Sequence, residues 1–136
     1  MLVKDIMTRN VVAVAADTPL REAAEMMADN HIGCLVVKSG GKVTGILTDR
    51  DVLVFIADES HRSMDSYRVK DVMKGYVITI HPNNPVEKAA ELMTENRIKK
   101  IPVLDNDRLV GIITMSDIIW QQPRLMARLS EVSKKE

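Results

Sequence analysis

The chain carries the same sequence pattern twice, and this internal repeat constrains its fold more than any other feature. Residues 3–53 align without gaps with residues 69–119, and 17 of the 51 aligned positions are identical. A unit of about 50 residues buries too little surface to be stable alone. We therefore expect the two copies to pack against each other, related by approximate two-fold symmetry.

Three apolar or β-branched runs in each copy predict strands. The second and third runs are joined by KSGG in the first copy and by DNDR in the second, which is typical of β-hairpins. The predicted strands are residues 11–14, 34–37 and 43–47 in the first copy and 77–80, 101–104 and 109–113 in the second.

A helix is predicted after the first strand of each copy and a shorter one after the third. Thr18-Pro19 and Asn84-Pro85 predict an N-cap residue followed by proline at the first helical position. The shorter helix begins at Thr48 or Thr114. Apolar residues of the longer helix recur at helical spacing, at Leu20, Ala23, Ala24 and Met27 and at Val86, Ala89, Ala90 and Met93. The predicted order is β-α-β-β-α, twice, in a mixed α/β (α+β) fold.

Composition narrows the functional classes. The 136 residues include 19 basic and 19 acidic side chains, which argues against a broad surface for nucleic acid or for an anionic membrane. No apolar run approaches the roughly 20 residues that span a bilayer, and no signal-peptide pattern opens the chain. Cys34 is the single cysteine, so no internal disulfide is possible. We therefore expect a cytoplasmic protein.

Candidate catalytic and metal-binding residues are few. His31, His61 and His81 have no metal-ligand spacing with one another or with Cys34, which instead fits a small apolar strand residue. No glycine-rich phosphate loop and no nucleophile–histidine arrangement is recognisable. We expect no metal site and no enzymatic activity.

The repeat resembles a tandem pair of CBS domains, the module named after cystathionine β-synthase, and such a pair is called a Bateman module. The resemblance rests on VKDIM and VKDVM, on the proline-led helices, on KKIPVLD, and on the closing motifs GILTDRD and GIITMSD. The predicted division is repeat 1 (1–56), a linker (57–68), repeat 2 (69–120) and a C-terminal helix or tail (121–136). In that tail, Leu125, Leu129 and Val132 have helical spacing, as in a short terminal helix or a partner-binding helix.

The resemblance implies a function. Many CBS pairs hold AMP, ADP, ATP or S-adenosylmethionine in clefts between the repeats, and two pairs commonly assemble into a flat dimer. The expected function is therefore a regulatory, energy- or metabolite-sensing homodimer that transmits ligand occupancy to an unidentified partner protein. The alternative is a dimerisation or protein-interaction module that needs no ligand.

The closing motifs allow two interpretations. Thr48 and Asp51 fit a capping box, in which each side chain accepts the backbone N–H of the other residue. A helix N-terminus also favours phosphate. The resemblance implies that Asp51 and Asp117 hold the ribose hydroxyls, with Thr48 and Thr114 close to the ligand's hydroxyls or phosphate.

Positive charge is distributed unequally over the two copies. Arg50 lies in the first closing motif, where the second copy has Ser116. The resemblance implies that Lys99 and Lys100 reach across to the ligand held by Asp51. The matched positions in the first copy, Gly33 and Cys34, offer no charge to the Asp117 site. We therefore expect Asp51 to mark the stronger nucleotide site.

Apolar residues could hold the adenine ring, or could simply be part of the core. The complete set of predicted ligand-binding residues is Val12, Ile32, Gly33, Thr48, Arg50, Asp51, Ile78, Ile98, Lys99, Lys100, Pro102, Thr114, Ser116 and Asp117.

Overall fold

The computed structural model describes residues 1–58 and 63–121. The chain divides into two compact units. One, called the middle unit below, is Val11–Val77; the other, called the terminal unit, combines Met1–Asn10 with the described residues from Ile78 to Gln121. The predicted C-terminal helix with Leu125, Leu129 and Val132 lies outside the described residues, as does His61 in the predicted linker.

The described chain contains both helices and strands. In order they are α1 (Val3–Ile6), β1 (Ala13–Ala15), α2 (Leu20–Asp29), β2 (Cys34–Ser39), β3 (Lys42–Thr48), α3 (Asp49–Ala57), a 3-10 helix (Met64–Ser66), α4 (Val69–Val72), α5 (Val86–Asn96), β4 (Lys100–Asp105), β5 (Arg108–Thr114) and α6 (Met115–Ile119).

The middle unit is a three-stranded sheet covered by helices. Strand β1 pairs with β2 in parallel, and β2 pairs with β3 antiparallel. The predicted apolar face of α2 is confirmed, because its residues are buried or pack against the core. Residues of this core with no exposed surface are Leu20, Ala23, Leu35, Val37, Leu47 and Val69.

The terminal unit has a two-stranded sheet, β4 antiparallel to β5. The predicted first strand, residues 77–80, is not formed and was wrong. In its place Ile80 makes a single parallel bridge to Val103. Core residues here with no exposed surface are Val3, Ala89, Ile101, Val103 and Ile113.

Two prolines explain why the strand is shortened. In the middle unit the N–H groups of Ala16 and Val36 extend the ladder, and that of Ala16 donates to the carbonyl of Lys38 at 3.0 Å. The matched positions in the terminal unit are Pro82 and Pro102, which have no N–H to donate. The ladder is therefore interrupted on both sides of the single bridge.

The two long helices begin one residue later than predicted, and no side chain caps them. Pro19 and Pro85 occupy the N-cap position, not the first helical position, so that prediction was wrong. The backbone of another segment replaces the side-chain cap: Leu20 N–H donates to Tyr67 O at 2.9 Å, and Val86 N–H donates to Met1 O at 3.0 Å.

Both predicted hairpins are confirmed. Each turns through two residues with positive φ, at Gly40 and Gly41 (58° and 80°) and at Asn106 and Asp107 (50° and 66°). Two-residue turns that match the twist of a hairpin need this conformation. Glycine adopts it without steric cost, and Asn and Asp tolerate it better than other residues do.

The compact units differ from the sequence repeats because each contains the short opening helix of the other copy. Helix α1 packs in the terminal unit, where Val3 N–H donates to Asn84 O at 2.9 Å. Helix α4 packs in the middle unit, where Val69 N–H donates to Thr18 O at 2.8 Å. The predicted repeat boundaries describe the sequence. The packing instead follows the division into the middle unit and the terminal unit.

An ion pair joins the 3-10 helix to α2. Arg21 Nε lies 2.6 Å from Asp65 Oδ1, and the hydrogen bond from Arg21 lowers the pKa of the Asp65 carboxyl. A carboxyl with a lowered pKa in the folded state stabilises the fold above its unfolded pKa of about 4, and this contribution is lost as the pH falls through the folded pKa.

The free energy of unfolding is expected to fall between neutral pH and about pH 3. We expect this fall to be slightly smaller in Asp65→Asn than in the wild type. Urea unfolding at a series of pH values measures this loss. Arg21→Gln should reduce it equally, because it removes the other partner of the same pair. If the pH dependence were unchanged in both variants, the ion pair would not persist in solution.

Candidate functional site

The predicted capping box is present where β3 enters α3. The N–H of Asp51 donates to Thr48 Oγ1 at 3.2 Å, and the N–H of Thr48 donates to Asp51 Oδ2 at 2.9 Å. Two helix-terminal N–H groups are thereby satisfied. The Asp51 side chain is only 12% exposed.

The terminal unit repeats this geometry where β5 enters α6. The N–H of Asp117 donates to Thr114 Oγ1 at 3.0 Å, and the N–H of Thr114 donates to Asp117 Oδ2 at 2.9 Å. The capping interpretation is confirmed in both units. It leaves the ligand interpretation open, because each carboxylate uses Oδ2 for the cap and retains Oδ1 for other contacts.

The Oδ1 atoms have different neighbours in the two units. Lys74 Nζ lies 3.7 Å from Asp51 Oδ1. Thr8 Oγ1 lies 3.3 Å from Asp117 Oδ1 and donates to it. Thr8 and Lys74 occupy matched positions in the repeat, so equivalent carboxylates face a neutral hydroxyl in one unit and an ammonium in the other.

Paired backbone hydrogen bonds hold these two neighbours in place. Lys74 and Ile46 exchange N–H···O bonds of 3.0 Å in both directions. Thr8 and Ile112 exchange bonds of 2.8 and 2.9 Å. Each segment after α1 or α4 is thus fixed beside the strand that leads into the capping box.

Glycine permits this close approach. A Cβ on Gly45 would meet the Met73 side chain and would lie 2.9 Å from the carbonyl oxygen of Lys74. A Cβ on Gly111 would lie 2.6 Å from the sulfur of Met7 and 2.9 Å from the carbonyl of Thr8. The sequence analysis missed this role, although both the glycines and the methionines are identical in the two copies.

The residues predicted to flank the site contribute backbone contacts. The carbonyl of Gly33 accepts the N–H of Asp49 at 2.9 Å, and that of Lys99 accepts the N–H of Met115 at 2.8 Å. Each therefore satisfies the first N–H of the short helix in its own unit. Arg50 and Ser116 are exposed, one residue before the capping aspartates.

The first strand residue of each hairpin pairs with the capping threonine. Cys34 is the partner of Thr48, and Lys100 is the partner of Thr114. Cross-strand partners project their side chains to the same face. Within its own unit, Lys100 therefore lies beside the capping box of Thr114 and Asp117. Its predicted role at Asp51 stays a prediction, and so does that of Lys99. The side chain of Pro102 is fully buried.

The apolar candidates line the cores of their own units. Val12 and Ile32 pack against the core of the middle unit, and Ile78 and Ile98 pack against that of the terminal unit. All four are half-buried, so each retains some surface. Their contact with adenine stays a prediction.

Two hollows lie within single units. One, of about 410 Å³, separates α5 from α6 and is lined by Met93, Ile98, Lys99 and Met115 among others. The other, of about 180 Å³, includes Asp51 in its wall. Three predicted ligand-binding residues line these hollows, Ile98 and Lys99 in the first and Asp51 in the second.

Within residues 1–58 and 63–121, no three side chains of His, Cys, Asp or Glu lie together as metal ligands. No helix in the same ranges combines the length and the apolar character needed to cross a membrane.

Comparisons with known proteins agree with this architecture. A family model described as CBS domain matches residues 3–58 and 69–122. The CBS domain-containing protein YhcV of Bacillus subtilis is 32% identical over 120 residues, which are 88% of this chain and 84% of that protein.

Solved structures show the same fold. The CBS-domain containing protein ATU1752 from Agrobacterium tumefaciens superimposes with a TM-score of 0.81 at 32% identity, over 90% of this chain and 99% of its own. The CBS domain pair of protein MJ0100, solved with 5′-methylthioadenosine and S-adenosylmethionine, gives a TM-score of 0.78 at 30% identity, over 93% and 96% of the two chains.

Proposed function

The chain belongs to the CBS domain family, and on that premise we propose that it is a regulatory module that binds an adenosine-containing ligand and passes its occupancy to a partner protein. Stand-alone CBS-domain proteins are regulatory rather than catalytic. The ligand class, its binding residues and the transmission to a partner are the proposed part.

One observation carries the proposal: a partly buried carboxylate stands at the same helix start in both units. Asp51 and Asp117 each use Oδ2 for the cap and present Oδ1 to a side chain that belongs to a different segment. Adjacent ribose hydroxyls are two donors that suit such a carboxylate. The cap fixes the carboxylate's orientation before any ligand arrives, which lowers the entropic cost of binding.

The solved relative MJ0100 supports the ligand class. Its CBS pair was crystallised with two adenosine derivatives, 5′-methylthioadenosine and S-adenosylmethionine. The two ligands share adenine and ribose and differ at the 5′ substituent. For the present chain the common adenosine portion is the proposed recognition element, and AMP, ADP and ATP remain candidates beside the adenosyl compounds.

The proposed mechanism is a population shift. A ligand that binds one conformation of the pair more tightly increases the population of that conformation. If a partner protein also prefers that conformation, ligand and partner are coupled, and each raises the affinity of the other by the same factor. We further propose a homodimer in the cytoplasm as the regulatory form.

Thermal melting in the presence of ligands tests the proposal. We expect AMP, ATP, S-adenosylmethionine or 5′-methylthioadenosine at 100 times its dissociation constant to stabilise the fold by about 2.7 kcal/mol. Ribose 5-phosphate, which lacks adenine, is the matched control and should leave the melting temperature unchanged.

The same experiment distinguishes the alternative of a ligand-independent interaction module. If none of the four adenosine compounds moved the melting temperature at millimolar concentration, the sensor proposal would fail. Exposed apolar side chains on α3, Leu53, Val54 and Ile56, are the observation that favours the alternative, because such patches are typical of protein interfaces.

A further inference from the structure

We propose that Lys74 makes the Asp51 site selective for adenosine ligands that carry negative charge at the 5′ position. This inference rests on the function proposed above and assigns the preference to a residue that the sequence analysis had not considered. It depends on the contact between Lys74 and the carboxylate in the middle unit.

The position of Lys74 is fixed by its backbone, whereas its side chain is largely exposed to solvent. Two 3.0 Å hydrogen bonds to Ile46 hold the main chain. The Lys74 side chain is 65% exposed, while that of Asp51 is 12% exposed. The ammonium, 3.7 Å from Asp51 Oδ1, can therefore move away from the carboxylate and remain in solvent, but the carboxylate cannot follow it.

Ribose binding competes with this contact. A hydroxyl that donates to Asp51 Oδ1 occupies the place of the ammonium, which itself has donors only. The displaced ammonium finds a new acceptor if the ligand has a 5′ phosphate. A ligand with an uncharged 5′ group offers no replacement, so its binding breaks the ion pair without compensation.

The terminal unit supplies an internal reference. Thr8, at the position matched to Lys74, is neutral, and its hydroxyl both donates and accepts. It can therefore bond to the carboxylate or to a ribose hydroxyl without a charge being displaced. The capping boxes are common to both units and therefore cannot cause a difference between the two sites. The preference for a charged 5′ group is thus assigned to the residue at the position of Lys74 and Thr8.

The test uses two ligands that share adenine and ribose. AMP carries a 5′ phosphate, and 5′-methylthioadenosine carries an uncharged thioether there. Calorimetric titrations are made on the 136-residue chain in an Asp117→Asn background, which removes the carboxylate of the second site but keeps an oxygen for its cap. We expect Lys74→Thr to weaken AMP binding about tenfold, the effect of losing a charge-assisted hydrogen bond, and to leave 5′-methylthioadenosine binding unchanged or slightly tighter.

Lys70→Thr is the matched control. It removes the same charge from the same segment, but Lys70 pairs with Asp17 at 2.8 Å instead of with Asp51. Its AMP affinity should equal that of the background. An equal change for both ligands in Lys74→Thr, or no change for either, would overturn the inference.

Two further outcomes separate this inference from the proposed function. If AMP bound the wild type but not the Asp117→Asn background, the Asp51 site would not be the nucleotide site, and only the role of Lys74 would be overturned. If neither ligand bound any form of the protein, the adenosine-sensor function would fail and the role of Lys74 with it.

Discussion

Replacing Gly45 with alanine is expected to lower the free energy of unfolding by about 3 kcal/mol, at the upper end of the usual cost of overpacking. The new Cβ would meet the Met73 side chain and would lie 2.9 Å from the Lys74 carbonyl. The methionine can rotate away, but the carbonyl belongs to the paired hydrogen bonds with Ile46 and cannot. Urea unfolding measures the change.

Gly75→Ala is the control for this prediction. Gly75 follows Lys74 directly, yet nothing lies within 4 Å of a Cβ built on it. Its substitution should change stability by less than about 1 kcal/mol. Gly111→Ala should resemble Gly45→Ala, since Met7 and Thr8 crowd it in the same way. Equal stability of the Gly45 and Gly75 variants would contradict the proposed packing role.

Replacing Asp51 with asparagine is expected to weaken nucleotide binding about a hundredfold, because ribose hydroxyls lose a charged acceptor worth about 1.5–3 kcal/mol per hydrogen bond. The amide oxygen of asparagine can still accept the N–H of Thr48, so the cap is retained. Stability should therefore fall by less than about 1 kcal/mol, the typical effect of one charge on a helix dipole. Calorimetric titration with AMP measures the affinity, and urea unfolding measures the stability.

Asp49→Asn is the appropriate control, because it removes one negative charge from the same helical turn. Asp49 is exposed, and its side chain accepts the N–H of Arg50 at 2.8 Å. Its AMP affinity should stay within about twofold of the wild type. If Asp51→Asn bound AMP as tightly as Asp49→Asn, Asp51 would be a capping residue only.

Local sequence signals predicted the local structure well. The turn residues Gly40 and Gly41 and the capping pair Thr48 and Asp51 act within a few positions of each other, so their chemistry is readable from the chain alone. The hairpins and both capping boxes followed. Lys74 could not be assigned in the same way, because its contact with Asp51 depends on where a distant segment docks.

The errors also have physical causes. The strand predicted at residues 77–80 was judged from its own β-branched residues, but its length depends on N–H donors that Pro82 and Pro102 lack. The cap predicted at Thr18 assumed that a side chain would satisfy the helix start. The backbone of Tyr67 does so instead. The sequence close to the helix does not indicate this partner, because Tyr67 is distant in the chain.

The exchange of opening helices has a consequence for synthesis on the ribosome. The middle unit is contiguous in sequence and is complete once Val77 has left the exit tunnel, so it can fold while the chain is still growing. Helix α1 precedes the middle unit in the chain but packs on β5, which ends at Thr114. Residues 1–10 are therefore translated before the middle unit but are expected to reach their native position after it, because closing that long loop is a late step in folding.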